Sequence, residues 1–160
     1  MVDRKLVILI GALTLAGCVA QSGGPAKKRA VPDNFHSLMP PQSLLREDTA
    51  EAATHDRSAS RLAYVGVWAT SPDKCAMMDQ TAFDGYAVIT PQSLRQSGET
   101  CTFEPGLTGQ GALTFQASCK AGRKKMSRTI TVAMQNSERL TLAVGGAAPG
   151  RTYVRCHLPK

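Results

Sequence analysis

Four cysteines in the last part of this chain place the strongest constraint on its fold. The chain has five cysteines in 160 residues, and four of them follow residue 60: Cys75, Cys101, Cys119 and Cys156. An even number of cysteines in an oxidising compartment indicates two disulfides, with three possible pairings. A zinc site of four thiolates is the alternative, but no two of these cysteines have the C-x2-C spacing of zinc ribbons.

Short segments in which apolar and polar residues alternate surround these cysteines. Turn signals separate the segments at a spacing of ~8–12 residues, which is typical of small β domains. We therefore predict an all-β fold, a small antiparallel β-barrel or sandwich of about seven strands. The predicted strands are Leu62–Ala69, Gly85–Thr90, Thr100–Glu104, Gly111–Cys119, Met126–Met134, Arg139–Val144 and Arg151–His157.

The strand order favours one disulfide pairing. The third and fourth predicted strands are neighbours in sequence and pair most simply as a hairpin, which brings Cys101 close to Cys119. Cys75 follows the first strand and Cys156 lies in the last, so their bond would join the two ends of the sheet. On the chain-entropy estimate, these loops of about 18 and 81 residues contribute roughly 3 and 4.5 kcal/mol. We expect the nested pairing, Cys101–Cys119 inside Cys75–Cys156.

The N-terminus has the pattern of an export signal that ends in a cysteine. Arg4 and Lys5 precede an apolar run over residues 6–15, far shorter than the ~20 residues of a membrane-spanning helix. The segment Leu15-Ala16-Gly17-Cys18 resembles the lipobox of bacterial lipoproteins at all four positions. The resemblance implies that residues 1–17 are removed and that Cys18 carries lipid. An ordinary signal peptide with a chance cysteine is the alternative.

The resemblance also implies where the protein is anchored. Two or three acyl chains hold a protein on a membrane essentially for good, since each buried methylene contributes ~0.8 kcal/mol. In many bacterial lipoproteins an aspartate after the lipidated cysteine marks retention in the inner membrane, and this chain has Val19 there. We therefore expect an outer-membrane lipoprotein that faces the periplasm, with exposure at the cell surface as the alternative.

Residues 18–60 have the composition of a flexible tether in front of a domain over residues 61–160. Glycines and prolines interrupt regular structure throughout the tether. Residues 43–53 favour a short helix, but two leucines and a few alanines are too little apolar surface to hold it in water without a partner. Packing of this stretch on the domain is the alternative.

The domain is basic, and its cations are concentrated towards the C-terminus. Residues 61–160 contain twelve Lys and Arg against six Asp and Glu, a net charge of +6, and residues 120–160 contain nine cations against one acid, Glu138. A basic balance invites a nucleic-acid hypothesis, but the envelope of an exported protein holds little nucleic acid. Its anions are stem-peptide carboxylates of peptidoglycan, lipid phosphates and acidic protein surfaces. We expect a partner among these and no nucleic acid.

Two groups of residues are candidate binding surfaces. The first is a basic hairpin tip between the fourth and fifth predicted strands, with Lys120, Arg123, Lys124, Lys125 and Arg128. The second is one face of the last predicted strand, where Tyr and Arg are typical interface anchors, with Tyr153, Arg155 and His157. A solubilising turn and a solvated outer strand face are the respective alternatives.

Catalytic and cofactor-binding patterns are missing from the sequence. It contains no H-E-x-x-H, no G-x-S-x-G and no Gly-rich phosphate loop, and residues 61–160 contain a single histidine, His157. We expect a binding module that is not an enzyme and that uses no cofactor and no metal.

The predicted architecture is similar to that of small β-rich envelope lipoproteins that inhibit lysozyme or other peptidoglycan hydrolases, although no motif residues carry over. The similarity implies an inhibitor or binder of peptidoglycan hydrolases or of peptidoglycan. A domain of charge +6 suits a bacterial hydrolase or the wall polymer better than a basic host lysozyme, which it would repel. A structural scaffold lipoprotein of the envelope without inhibitory activity is the alternative.

Overall fold

The computed structural model describes residues 37–55, 62–104, 111–146 and 149–160. The predicted signal segment 1–17 and Cys18 lie outside these ranges, so the lipid anchor stays a prediction. The longest helix in the described ranges has nine residues, and no helix there is long and apolar enough to cross a membrane.

Eight antiparallel strands form a closed barrel, in which each strand pairs with its neighbours in sequence and the last pairs with the first. The strands are β1 Gly66–Ala69, β2 Tyr86–Ile89, β3 Ser93–Gln96, β4 Glu99–Thr102, β5 Ala112–Ala121, β6 Lys124–Asn136, β7 Arg139–Val144 and β8 Arg151–Cys156. The all-β prediction is confirmed as a barrel, with one strand more than expected. The additional strand is β3, whose sequence Ser-Leu-Arg-Gln carries a single apolar residue and so gives no alternating signal.

Alternation along the strands fills the barrel interior with apolar side chains. Trp68, Ile130 and Leu140 are fully buried at its centre. Along β5, β6 and β7 the apolar residues of one parity face the interior, since they belong to this cluster or pack against it: Leu113, Phe115, Ala117, Cys119, Met126, Ile130, Val132, Met134, Leu140, Leu142 and Val144. Two-residue turns follow β5 and β6, and the first of them is the predicted basic hairpin.

A second apolar cluster lies on the outer side of the barrel wall. Val67 and Val88, on β1 and β2, pack there with Ala52 and Ala53 of helix α1, which spans Glu47–His55. Every residue of β1 is buried, because Trp68 faces the interior while its neighbours face this second cluster. One side of the barrel is therefore covered, and its wall is apolar on both faces.

This covering layer corrects the prediction of a flexible tether for residues 37–55. The backbone N–H of Met39 donates to the carbonyl of His157 at 2.8 Å, and the N–H of His157 donates to the carbonyl of Ser37 at 2.8 Å. Helix α1 has as little apolar surface as the sequence suggested, but the barrel supplies the partner that it needs. Packing on the domain, the alternative interpretation, is the observed arrangement. Residues 18–36 and 56–60 of the predicted tether lie outside the described ranges.

Both expected disulfides are present. Cys75 in the 3-10 helix Pro72–Met77 is bonded to Cys156 at the end of β8, and Cys101 is bonded to Cys119. The second pair lies directly opposite in the β4–β5 ladder, as the predicted hairpin requires. These bonds use all four thiols of the domain, so the zinc alternative is wrong.

The two ends of the barrel carry different parts of the chain. Because neighbouring strands are antiparallel, β8 ends where β7 begins and where Ser37 joins His157. We call this end the base. The opposite end carries the turns at Ser97–Gly98 and Gly122–Arg123, and we call it the tip end. Ser37, the first described residue, therefore lies at the base, and the basic hairpin turns at the tip end.

Candidate functional site

A basic hairpin turn is exposed at the tip end. Strands β5 and β6 are joined by the two-residue turn Gly122–Arg123, with Ala121 opposite Lys124. Gly122 has a φ of +57°, which suits the first central residue of a hairpin turn of the II′ type. Four cations around this turn are exposed, and we call them the basic tip: Lys120, Arg123, Lys124 and Lys125.

The basic tip is uncompensated within the described part of the chain. None of its four cations forms an ion pair with a described carboxylate. Lys120 and Lys125 lie directly opposite each other in the β5–β6 ladder, where two like charges destabilise a sheet. An anion placed between them would relieve that repulsion. The geometry therefore favours anion binding at this turn.

Arg128 was predicted to belong to this surface, and the structure places it apart from the four exposed cations. It has the inward parity of Met126 and Ile130 on β6. Its Nε donates to Oε1 of Glu99 at 3.1 Å, and the Glu99 side chain is only 17% exposed. The charge of Arg128 is thus paired with Glu99 at the tip end of the barrel.

The second predicted surface, on β8, is not a surface. Tyr153 and Arg155 are 2% and 3% exposed, because they face the barrel interior while Val154 and Cys156 face outward. The hydroxyl of Tyr153 accepts a hydrogen bond from Gln96 at 3.1 Å. Burial raises the pKa of Tyr153, and nearby Arg151 partly opposes that shift. Neither Tyr153 nor Arg155 is accessible to a macromolecular partner.

Arg155 closes the base of the barrel. Its guanidinium lies 4.1 Å from the ring centre of Trp68 and donates hydrogen bonds to the carbonyls of Ala63, Val65 and Ser137. His157, the third member of the predicted surface, lies 2.8 Å from Glu138 through its Nε2. These contacts give Arg155 and His157 structural partners at the base.

A buried charge cluster that the sequence did not reveal fixes α1 to the barrel wall. Arg95 on β3 points outward, beneath α1, where its side chain is 9% exposed and forms ion pairs with Asp48 and Asp79. It also donates to Thr49, which is fully buried. Burial alone would lower the pKa of Arg95, but the hydrogen bond and the charge of Asp48 outweigh it and raise that pKa. The carboxylates take up the donors of Arg95, so we interpret this cluster as structural.

Two pockets and one cluster of possible metal ligands lie elsewhere among the described residues. The larger pocket, of about 330 Å³, is beside Asp79, Tyr86 and Arg95, where the donors of Arg95 are already taken up. A carboxylate oxygen of Glu99 and the sulfurs of Cys101 and Cys119 lie within 4.8 Å of one another. They make a poor metal site, because both sulfurs are disulfide-bonded and Glu99 pairs with Arg128. A pocket of about 190 Å³ opens beside Tyr153 and Arg151. It is smaller than the ~300–1,000 Å³ of typical ligand sites.

Comparisons with protein-family models, with curated proteins and with solved structures found no match. The function must therefore be argued from the surface itself.

The sequence analysis missed one further feature of the tip end, namely that β6 is much longer than β7. The predicted lengths of these strands already differed, and unequal neighbours leave part of the longer strand without a partner.

Proposed function

We propose that this protein is a lipid-anchored binding module of the bacterial cell envelope, which binds peptidoglycan hydrolases or peptidoglycan through its basic tip. The observation that carries the proposal is the exposure of four cations without described carboxylate partners, with Lys120 opposite Lys125. Such a surface attracts anions and speeds their encounter, and the attraction weakens as salt screens it.

The placement of the basic tip on the barrel supports this proposal. Eighteen residues separate Cys18 from Ser37, the first described residue at the base. A chain of that length spans at most about 65 Å when fully extended. The strands then run from the base to the basic tip. A partner within reach of the anchoring membrane could therefore meet the basic tip at the far end of the barrel.

The anchor is tested by replacing Cys18 with serine. A serine hydroxyl cannot form the thioether that carries the lipid, so the variant should lose labelling by radioactive fatty acid and stay unprocessed or become soluble. Fractionation of cells that express the full chain measures both effects. Unchanged lipid labelling of this variant would contradict the lipoprotein assignment.

The basic tip is tested by the double change Lys124→Glu and Lys125→Glu. Retention of the mature protein on purified sacculi, or inhibition of their digestion by envelope hydrolases, should fall at least about tenfold and become less dependent on salt. The free energy of unfolding should change by no more than about 0.5 kcal/mol per site, because both side chains are exposed.

A matched control has the same charge change away from the tip. Arg139 begins β7 at the base, Lys160 ends the chain, and both are exposed. The double change Arg139→Glu and Lys160→Glu should leave retention and inhibition nearly unchanged. Equal losses in both variants would show that only net charge matters. If the wild-type protein neither binds sacculi nor slows any hydrolase at low salt, the proposed binding function is contradicted. The alternative of a scaffold lipoprotein would then be favoured.

A further inference from the structure

Part of β6 beside the basic tip has a strand neighbour on one side only. Strand β6 runs over Lys124–Asn136, and β5 pairs with it as far as the turn. On the other side, β7 pairs with β6 only from Ile130 onward. Residues 124–128 therefore form a strand edge without a described neighbour, and we call this segment the β6 edge.

The backbone groups of the β6 edge alternate in direction. In a hairpin with a two-residue turn, the residues that flank the turn exchange backbone hydrogen bonds, and every second pair after them does the same. The groups of Lys125 and Ser127 thus point away from β5. Thr129 has the same parity, and its carbonyl accepts a hydrogen bond from the N–H of Gly145 at 2.9 Å on that side. Among the described residues this is the last backbone hydrogen bond on that side of β6. The backbone groups of Ser127 and Lys125 lie beyond it and point in the same direction, and together they form a row.

The charge of the β6 edge selects what can bind there. An unpaired edge is a template for a further strand, and lysines on an edge often serve to prevent self-association. A second copy of this edge would place lysines against lysines, which is unfavourable. An extended segment would instead complete the backbone row, with its carboxylates beside Lys125 on one face of the sheet or beside Lys124 on the other.

We propose that an acidic, extended segment of a partner protein adds to the barrel as a strand along the β6 edge, with its carboxylates on the basic tip. This inference rests on the proposed function and names how the partner is held. A regular added strand needs residues of one chirality, because the twist of a sheet follows from L-residues. Stem peptides of peptidoglycan mix L- and D-residues, so the geometry favours a protein over the wall polymer.

The probe is a short, labelled peptide in which L-glutamate and L-valine alternate. Its control has the same composition and charge but alternates D- and L-residues, so that it cannot extend as a regular strand. Binding to the mature protein is measured by fluorescence anisotropy at low salt. The all-L peptide should bind at least about tenfold more tightly than the mixed peptide, since both offer equal charge but only one fits the backbone row.

Two variants of one residue separate the backbone from the charges. Ser127→Pro removes the N–H that points to the β6 edge and keeps all the cations, and proline is tolerated where that N–H has no strand partner. Ser127→Ala keeps the N–H and, like the proline variant, loses the hydrogen bond from Ser127 to Gln116. We expect the proline variant to bind the all-L peptide at least about tenfold more weakly, and the alanine variant to bind like the wild type.

Amide hydrogen exchange of the wild-type protein provides a readout that needs no variant. The all-L peptide should slow exchange at Lys125 and Ser127 by at least about tenfold, because these N–H groups gain acceptors. Equal binding of both peptides, full binding by Ser127→Pro, or unchanged exchange would each overturn strand addition. Retention on sacculi through Lys124 and Lys125 without peptide binding would overturn this inference and leave the proposed function standing. Loss of every interaction, with sacculi, hydrolases and peptide, would remove both.

Discussion

Replacing Arg95 with methionine should lower the free energy of unfolding by about 3 to 5 kcal/mol, because the change leaves a buried carboxylate without its counterion. The side chain of Asp79 is 3% exposed, and its Oδ1 lies 3.1 Å from Nη2 of Arg95. Asp48 and Thr49 of α1 lose the same partner. Urea unfolding without reductant measures the loss. Helix α1 should also come away from the barrel, so that trypsin cleaves at Arg46 more readily.

A second substitution shows whether the buried charge is the cause. The single variant leaves the charge of Asp79 buried without a counterion. The double variant Arg95→Met with Asp79→Asn removes that charge, so part of the stability should return. Asparagine tolerates the φ of +59° found at Asp79. Arg139→Met, which removes an exposed arginine, should change stability by no more than about 0.5 kcal/mol. A loss of that small size for Arg95→Met would contradict the structural account of this cluster.

Removing the Cys75–Cys156 bond with two alanines should cost about 4.5 kcal/mol on the chain-entropy estimate, since the bond closes 81 residues of separation. It also holds the helix Pro72–Met77 to the outer side of β8. The matched variant lacks Cys101–Cys119, which closes only 18 residues and should cost about 3 kcal/mol. Guanidinium unfolding without reductant measures both losses. Equal losses, or the reverse order, would contradict the estimate, and free thiols in peptide maps of the mature protein would contradict the pairing itself.

The sequence was sufficient for the parts of the fold in which one face of a strand is apolar and the other polar. The inward faces of β5, β6 and β7 follow that pattern, and the pairing of Cys101 with Cys119 followed from their strand order. It was insufficient for β3 and α1. Strand β3 carries its charged Arg95 outward beneath α1, and α1 is held by small residues and by that charge. Neither element has an apolar pattern of its own.

Strand β8 shows why only part of the candidate site could be predicted. Alternation placed Tyr153 and Arg155 on one face, which is correct, but it does not say which face is the interior when the outer face carries Val154 and the buried Cys156. Because Tyr and Arg are polar, we predicted that they face solvent. Arg155 instead lies inside, where its guanidinium packs on Trp68 and donates hydrogen bonds to three carbonyls. The basic tip was predictable, because a turn that lies between two long strands and is rich in cations must be exposed.

The part of the chain that packs on the barrel also changes what the anchor implies. The predicted tether began at Cys18 and ended at residue 60, but described packing begins at Ser37. The stretch between Cys18 and the described packing is therefore less than half as long as the predicted tether. With the lipid anchor proposed above, so short a link would favour partners close to the anchoring membrane.

Site-specific photo-crosslinking in living cells tests the central claim most directly. A photoreactive amino acid replaces Arg123 in the basic tip, and in a parallel strain it replaces Thr114, an exposed residue of β5 roughly 25 Å away along the same hairpin. The account predicts crosslinks to a peptidoglycan hydrolase or to the wall from position 123, which weaken when Lys124 and Lys125 are changed to glutamate, and few from position 114. Crosslinks that form equally from both positions, or only from Thr114, would contradict a partner bound at the basic tip.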